Sequence, residues 1–279
     1  MAHGISEQFT FDHVLHDDES MSFSIPTSSE DWPWLVLDPK NPIVVQALTY
    51  YALYETDVAR GLFNDGQWTA LTGISWRCAG DATGHASHGV ARLRGAALGG
   101  QIMEFWDEND ALVYEMTGEG VVFRDRNFQE WRNSQKQGLG PEVSLKEFSF
   151  ASHNEVGVGS PIESIVSSLD AADPTCVDAL VTAQNGFPPG HPYHDGSGDH
   201  VNSSHLADAA TQFARLLRRN PGLESLGGEM KFRRYVELGQ VFTLQLVSNT
   251  AEVSEMRVLQ GGQECASINF TWARGSTPA

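Results

Sequence analysis

The chain has 279 residues, which is enough for one large domain or for two domains of ordinary size. It is 41% hydrophobic and 19% charged, so it can bury a core and is not a disordered tail. The formal net charge is -18, from 18 Lys and Arg against 36 Asp and Glu. Nucleic acid is therefore not expected as a partner, because binding to phosphates needs a surplus of cations.

The cysteines and the N-terminus bear on the compartment. Cys78, Cys176 and Cys265 are far apart and odd in number, which argues against a disulfide framework. The first residues lack the basic start and apolar stretch of a secretory signal. No apolar run reaches the ~18 residues that a membrane helix needs. We therefore expect a cytoplasmic protein with no membrane partner.

The first half of the chain is predicted to hold one long buried helix followed by strands. Alternating segments at 9–13 and 21–25 have the period of strands. Pro42 suits the first turn of a helix, and Ile43 to Phe63 is apolar nearly all round, which is typical of a buried helix. Four strands are predicted after it, at 68–76, 85–93, 101–106 and 112–123, with a hairpin turn at 107–110.

The second half repeats this order of elements after a polar segment at 124–142 that is interpreted as a linker. A short strand-like segment at 148–150 opens it, and an irregular stretch follows to Gly190. A helix is predicted from Asn202 to Arg219, and strands are predicted at 229–236, 241–248, 253–260 and 264–273. The halves share no recognisable sequence identity, so the repeat lies in the pattern alone.

Residues 195–239 carry a specific resemblance. They read Asp195-Gly-Ser-Gly-Asp199-His200-Val-Asn202, then the helix, then Lys231-Phe-Arg233-Arg234 and Gly239. This resembles the D-x-x-x-H-V-N-N signature and the following F-R-R-P-V-x-x-G strand of hotdog thioesterases. The 4-hydroxybenzoyl-CoA thioesterase group and the C-terminal half of plant acyl-ACP thioesterases are the families compared. The motifs cover about 45 residues, and the element order covers the rest.

The resemblance implies an α+β double hotdog, in which each half is a long buried helix wrapped by an antiparallel sheet. The N-terminal hotdog would span 1–135, and the C-terminal hotdog, 145–279, would carry the site. The implied substrate is an acyl-CoA or an acyl carrier protein thioester, and the implied reaction is hydrolysis. The protein would be a monomer or a homodimer.

The same resemblance assigns roles to residues before and at the start of the second helix. A helix N-terminus stabilises an oxygen that gains negative charge, which points to Asn202 as a carbonyl-holding residue. His200 would then activate water or move a proton, with Asp199 or Asp195 as its partner. Where the plant enzymes carry catalytic Asp and Asn, this chain has Gly196 and Gly198. A non-catalytic module that binds acyl thioesters is therefore one alternative.

A second motif overlaps the first. Ser197-Gly198-Asp199 followed by His205 is similar to the S-G-D-x-N-P-x-H-x-D motif of MaoC-like hydratases. That similarity implies a dehydratase, hydratase or related lyase or cyclase, with Asp199 and His205 as the acid and base. In the first half, Trp34 to Pro42 is similar to a segment of FabA-type dehydratases, but Trp34 stands at the catalytic His position. The first half is therefore expected to be non-catalytic.

Cations and histidines complete the candidate site. Lys231, Arg233 and Arg234 follow one strand and are predicted to clamp the phosphates of CoA or of a phosphopantetheine arm. The histidines between 191 and 205 lack the i, i+4 spacing of a helical zinc site. We expect no metal and no cofactor beyond the CoA or phosphopantetheine of the substrate.

Overall fold

The structure is a computed structural model. It describes residues 8–62, 68–80, 84–94, 100–123, 130, 133–134, 136, 139–186 and 200–273. The chain divides into two compact units, Met1–Gln137 and Gly138–Ala279.

The first unit is an antiparallel sheet against one long helix. The sheet order is β1-β2-β4-β5-β6-β3, and the helix α1 contacts β4 and β6. The elements are β1 (Phe11–Leu15), β2 (Met21–Ser24), a 3-10 turn (Pro33–Val36), α1 (Pro42–Ala59), β3 (Trp68–Cys78), β4 (His88–Leu93), β5 (Gly100–Trp106) and β6 (Leu112–Phe123).

Local sequence sets both ends of α1. The side chain of Asn41 accepts a hydrogen bond of 2.9 Å from the backbone N–H of Ile43, and Pro42 occupies the first helical position. The helix ends at Ala59, earlier than Phe63, because Gly61 takes a left-handed conformation (φ 69°). The predicted terminating turn at 64–66 lies outside the described residues.

A buried carboxylate ties the start of the chain to α1. Glu55 accepts hydrogen bonds from the backbone N–H groups of Phe9 and Thr10 and from the Thr10 hydroxyl. Burial raises the pKa of Glu55, against the opposing effect of these hydrogen bonds. The ring of Phe9 then packs between Trp32, at 4.7 Å, and Tyr51, at 5.0 Å between ring centroids.

The second unit is built from the same kinds of element. Its sheet order is β9-β13-β12-β11-β7, and all these pairs are antiparallel. A separate two-stranded sheet pairs β8 with β10. The elements are α2 (His153–Val156), β7 (Cys176–Ala179), β8 (His200–Val201), α3 (Ser203–Arg218), β9 (Ser225–Phe232), β10 (Val236–Glu237), β11 (Phe242–Asn249), β12 (Val253–Gln260) and β13 (Gln263–Trp272).

The helix α3 is amphipathic and contacts α2 and β11. Its apolar face includes Phe213 and Leu216, which are buried, whereas Arg219 ends the helix in a left-handed conformation (φ 50°). The prediction of a helix from Asn202 to Arg219 is confirmed, since these two residues are its caps.

Most of the predicted strands are also present, with ends that shift by a few residues. The segment 148–150 forms only an isolated bridge, between Phe150 and Ser167, and the predicted strand 229–236 is divided between β9 and β10. The strand β7 lies within the stretch predicted to be irregular.

Replacing Glu55 by alanine is expected to lower the free energy of unfolding by about 2–4 kcal/mol, because buried N–H donors would lose their acceptor. Chemical denaturation measures the change. Glu115→Ala is the control, since Glu115 forms a surface ion pair of 2.6 Å with Arg77, and its loss should cost less than about 1 kcal/mol. Equal losses for the two variants would contradict the role given to Glu55.

Candidate active site

Asn202 fixes the start of α3. Its side-chain oxygen accepts a hydrogen bond of 3.1 Å from the backbone N–H of His205, and its backbone is extended. This is the geometry of a helix N-cap, which satisfies one of the free N–H groups of the first turn. The remaining N–H groups and the helix dipole give this end of α3 a partial positive charge.

His200 lies two residues before that cap, in the short strand β8. It faces Glu237 of β10 across the pair. The imidazole ring meets the ring of Tyr235 edge to face, with 4.6 Å between centroids. The strand and the tyrosine hold His200 beside the N-terminus of α3. The side chain is half-buried, so part of it stays exposed.

His205 lies in the first turn of α3 and is buried. Its ring packs against the turn that ends at Gly186, so closely that a Cβ added there would lie 3.0 Å from both Cε1 and Nε2. The turn itself is closed by Asn185, whose side chain accepts from the Thr182 N–H at 2.7 Å and donates to the Leu180 carbonyl at 2.9 Å. Gly186 therefore gives the imidazole the room it occupies.

Asp208 is a buried carboxyl one turn further along α3, on the same face as His205. It accepts a hydrogen bond of 3.0 Å from the Nε2 of Gln212. Gln212 is itself held by backbone, because its Oε1 accepts from Ile165 N and its Nε2 also donates to Glu163 O, each at 3.0 Å. One carboxylate oxygen thus has a fixed position.

Burial raises the pKa of Asp208 to about 7, against the opposing effects of the Gln212 hydrogen bond and the Arg215 charge. Arg215 gives its own donors to the carbonyls of Leu223, Val156 and Gly157. Its charge therefore acts on the carboxyl from a distance. A buried acid that titrates near neutral pH is typical of acid–base catalysis.

Sequence reasoning missed Asp208 as a catalytic candidate, although a signal was present. The positions 205, 208, 209, 212 and 213 share one face of a helix, and that face also carries the apolar residues Ala209 and Phe213. Two polar residues four positions apart, Asp208 and Gln212, therefore stand out on the side that must be buried. Their pairing explains how that side accepts them.

The three predicted phosphate-binding cations lie at the end of β9. Lys231 forms an ion pair of 2.8 Å with Glu229, and Arg233 forms one of 3.2 Å with Glu264. The prediction that all three follow one strand is wrong for Arg233 and Arg234, since β9 ends at Phe232. The N–H groups of Arg233 and Arg234 both donate to the Cys265 carbonyl.

Two predicted acids, Asp195 and Asp199, lie outside the described residues, as do Gly196 and Gly198. Within the described ranges there is no group of three or more His, Cys, Asp or Glu side chains that could hold a metal ion. The helices in the part of the chain that the structure describes include none long and apolar enough to cross a membrane.

Comparison with solved structures reveals proteins of similar fold. The 12:0-ACP thioesterase from Umbellularia californica is 13% identical over 93% of this chain and 99% of that chain, with a TM-score of 0.54. An acyl-ACP thioesterase from Bacteroides thetaiotaomicron VPI-5482 is 10% identical over 91% and 97%, with a TM-score of 0.55. The dehydratase domain from the CurJ module of the Curacin polyketide synthase is 11% identical over 95% and 97%, with a TM-score of 0.53.

These similarities establish the class of fold. The chain has a hotdog-like α+β fold, of the kind found in thioesterases and in polyketide synthase dehydratase domains. No family model and no curated protein sequence matches the chain. The fold is therefore shown by comparison of structures, because sequence identities of 10% to 13% are too low to show it by themselves.

Replacing Asp208 by asparagine is expected to stabilise the protein above neutral pH. The folded-state pKa of about 7 exceeds the ordinary value of 3.8, so the folded protein binds the extra proton between these values and loses stability as pH rises through them. The asparagine side chain cannot titrate but can still accept from Gln212. We expect a gain of about 2–4 kcal/mol above pH 7 that disappears below pH 4.

Urea denaturation of both proteins across this pH range measures the difference. Asp178→Asn is the matched control, because Asp178 is exposed on β7, and it should give a difference that is small throughout. If the difference in free energy of unfolding between Asp208→Asn and the wild-type protein did not change with pH, folding would not raise the pKa of the Asp208 carboxyl.

Proposed function

We propose that the protein is an enzyme that acts on acyl thioesters of CoA or of an acyl carrier protein, and that its reaction is hydrolysis. Each unit would be one hotdog domain, with the site in the C-terminal one. The observation that carries the proposal is the buried Asp208 carboxyl, oriented by Gln212 near the capped start of α3. The fold, which acyl-ACP thioesterases share, supports it.

The proposed hydrolysis needs a base for water and a positive site for the carbonyl oxygen. Ionised Asp208 takes a proton from water as the water oxygen attacks the carbonyl carbon. The oxyanion is stabilised by N–H groups at the N-terminus of α3, which Asn202 holds in place. The carbon–sulfur bond then breaks, and the thiolate takes a proton. His200 would position water or donate that proton, with Asp199 or Asp195 as its partner.

Dehydration of a 3-hydroxyacyl thioester is the second candidate, and the spacing of His205 and Asp208 favours it. The two residues lie three positions apart on one helix face. One of them would remove the proton next to the carbonyl, and the other would protonate the leaving hydroxyl, which departs as water. The dehydratase domain of similar fold supports this candidate. A non-catalytic binding module is the remaining alternative.

The predictions on phosphate binding, location and cofactor remain part of the proposed function. Lys231, Arg233 and Arg234 would bind phosphates of the substrate, although Lys231 and Arg233 would first have to exchange their carboxylate partners. We keep the cytoplasm as the proposed location, and Cys78, Cys176 and Cys265 are free thiols in the structure. No cofactor is required, because the thioester is already an activated acyl group.

The reaction is tested by incubating the protein with a panel of acyl-CoA and acyl carrier protein thioesters. Mass spectrometry detects loss of one water, and a thiol assay detects hydrolysis. Asp208→Asn should lower turnover by at least ~10²-fold, the usual scale for one acid–base group, while Asp178→Asn keeps the wild-type rate. Turnover that survives in Asp208→Asn would remove Asp208 from the mechanism.

The pH profile separates the two reactions. If Asp208 is the base of a hydrolase, kcat/KM should rise with pH and level off above about pH 7, as the carboxyl ionises. If it is the acid of a dehydratase, kcat/KM should fall through the same region. A profile without an inflection near pH 7 in the wild-type protein would argue against both roles.

His200→Ala is expected to lower turnover by at least ~10²-fold as well. His200→Gln serves as its partner variant, because glutamine can hold water by hydrogen bonds but cannot exchange a proton near neutral pH. A low rate in both variants indicates proton transfer, and a rate recovered in His200→Gln indicates positioning. Wild-type rates in His200→Ala would exclude His200 from the site.

A further inference from the structure

A serine, a histidine and an aspartate lie together in the first unit, where β4 begins and β5 ends. The Oγ of Ser87 lies 3.1 Å from the Nδ1 of His88, and the Nε2 of His88 lies 3.3 Å from the Oδ1 of Asp110. Ser87 and His88 are half-buried, and the Asp110 side chain is 88% exposed. The cluster is therefore open to small molecules in solution.

Two neighbouring strands hold the serine and the histidine. His88 is the first residue of β4 and is paired with Trp106, the last residue of β5. Their rings are stacked, with 17° between the planes and 5.7 Å between the centroids, and this contact restrains the plane of the imidazole. Ser87 directly precedes the strand, and its N–H donates to the Trp106 carbonyl at 2.8 Å. The backbone of both residues is therefore fixed by the sheet.

The turn that carries Asp110 is held by its own first residue. Asp107 is buried, and its Oδ1 accepts hydrogen bonds from the N–H groups of Asn109, at 2.8 Å, and of Ala111, at 3.0 Å. Asp110 has a left-handed backbone (φ 59°), which aspartate adopts more readily than most residues. The turn therefore has a defined shape, and it places the Asp110 carboxylate beside His88.

These positions suit a nucleophile, its base and a carboxylate that assists the base. A carboxylate next to Nε2 favours the imidazole tautomer with its hydrogen on that nitrogen, which leaves Nδ1 to accept the hydrogen of Ser87. The hydroxyl has a second acceptor in the Trp106 carbonyl, but that oxygen is farther away, at 3.4 Å. When His88 takes the proton and becomes positive, the charge of Asp110 stabilises it.

A second serine–histidine pair in the same unit lacks the third member. The Oγ of Ser22 lies 2.9 Å from the Nε2 of His16. Asp18, whose charge interacts with His16, accepts instead from the N–H and the hydroxyl of Ser20. No ion pair joins His16 to a carboxylate of the residues that the structure describes. Ser22 is half-buried like Ser87, so it is a natural comparison within one molecule.

We propose that Ser87 is an acylation site, which takes the acyl group of an activated ester or thioester. The Ser87 oxygen attacks the carbonyl carbon of the acyl group while its proton passes to the Nδ1 of His88. The bond from that carbon to the leaving oxygen or sulfur then breaks, and His88 gives the proton to the leaving group. The products are an ester on Ser87 and a free alcohol or thiol.

The openness of the cluster limits the reagents that can react there. Water reaches the cluster and weakens the interaction of protein charges with the oxyanion that forms during the attack. We therefore expect acylation by esters with good leaving groups, such as phenol esters, and not by ordinary alkyl esters. The site belongs to the first unit alone and does not require turnover at Asp208.

The test uses p-nitrophenyl acetate on the full-length protein with Asp208→Asn, so that the proposed catalytic site does not consume the ester. Mass spectrometry of peptides, with fragmentation, locates the acetyl groups. Ser87 should be acetylated at least about tenfold faster than Ser22, which is less than the ~10²-fold that a general base supplies at an enclosed site. Because both serines lie in one chain, this comparison needs no further variant.

Variants then test the two partners of the serine. His88→Gln should abolish the advantage of Ser87 over Ser22, and Asp110→Asn should slow acetylation of Ser87 about threefold, the scale of an exposed ion pair. Glu108→Gln is the matched control, because it removes the same charge from an exposed position of the same turn, and it should keep the wild-type rate.

Equal rates at the two serines, or no acetyl group on Ser87, overturn the proposal. A full rate in His88→Gln also overturns it, because the hydroxyl would then react without its base. An unchanged rate in Asp110→Asn, or an equal loss in Glu108→Gln, overturns the role given to the Asp110 carboxylate.

Discussion

The hydrogen bond from Gln212 to Asp208 is the interaction on which the proposed chemistry of the second unit depends. Without it, α3 would carry an isolated carboxyl into an apolar core, which the core could accept only in the protonated form. With it, one oxygen has a partner of fixed position, and the carboxyl titrates near neutral pH. The same contact therefore allows the apolar core to accept the acid and leaves the carboxyl able to exchange a proton near neutral pH.

That hydrogen bond rests in turn on main-chain geometry. Gln212 meets the backbone of Glu163 and Ile165, and this segment forms a bridge with β7, where Val166 pairs with Ala179. An irregular segment is thus anchored at the edge of the sheet and presents backbone groups toward the helix. Because the backbone groups of Glu163 and Ile165 bind Gln212, the helix α3 and the edge of the sheet together constrain the Gln212 side chain.

Much of the fold follows from local patterns in the sequence. Asn41 with Pro42, and Asn202, mark the helix starts because capping is a contact within a few residues, and the alternation along β12 and β13 reflects burial on one face. The predicted end of α1 is too late, since the apolar run continues beyond the left-handed Gly61. Local sequence describes burial better than it describes where a backbone turns.

The site is less accessible to sequence reasoning. The motif around His200 and Asn202 leads to the start of α3, where Asn202 is a cap and His200 stands beside Tyr235. The orientation of Asp208 depends on Gln212, whose contacts with Glu163 and Ile165 span 49 and 47 positions, and no local pattern contains them. Likewise, Arg233 and Arg234 lie beyond the end of β9, where their N–H groups donate to the carbonyl of Cys265 on the neighbouring strand β13.

The contact between Gly186 and His205 has a consequence for how such a protein changes over evolutionary time. The smallest side chain at position 186 would meet the imidazole at 3.0 Å and a methyl group of Val181 at 3.1 Å, so the ring would have to turn or the loop to move. A descendant could keep every residue of the site and still lose the arrangement through this one position. Glycine at position 186 must therefore be retained for the arrangement to persist, although it contributes no atom to the proposed chemistry.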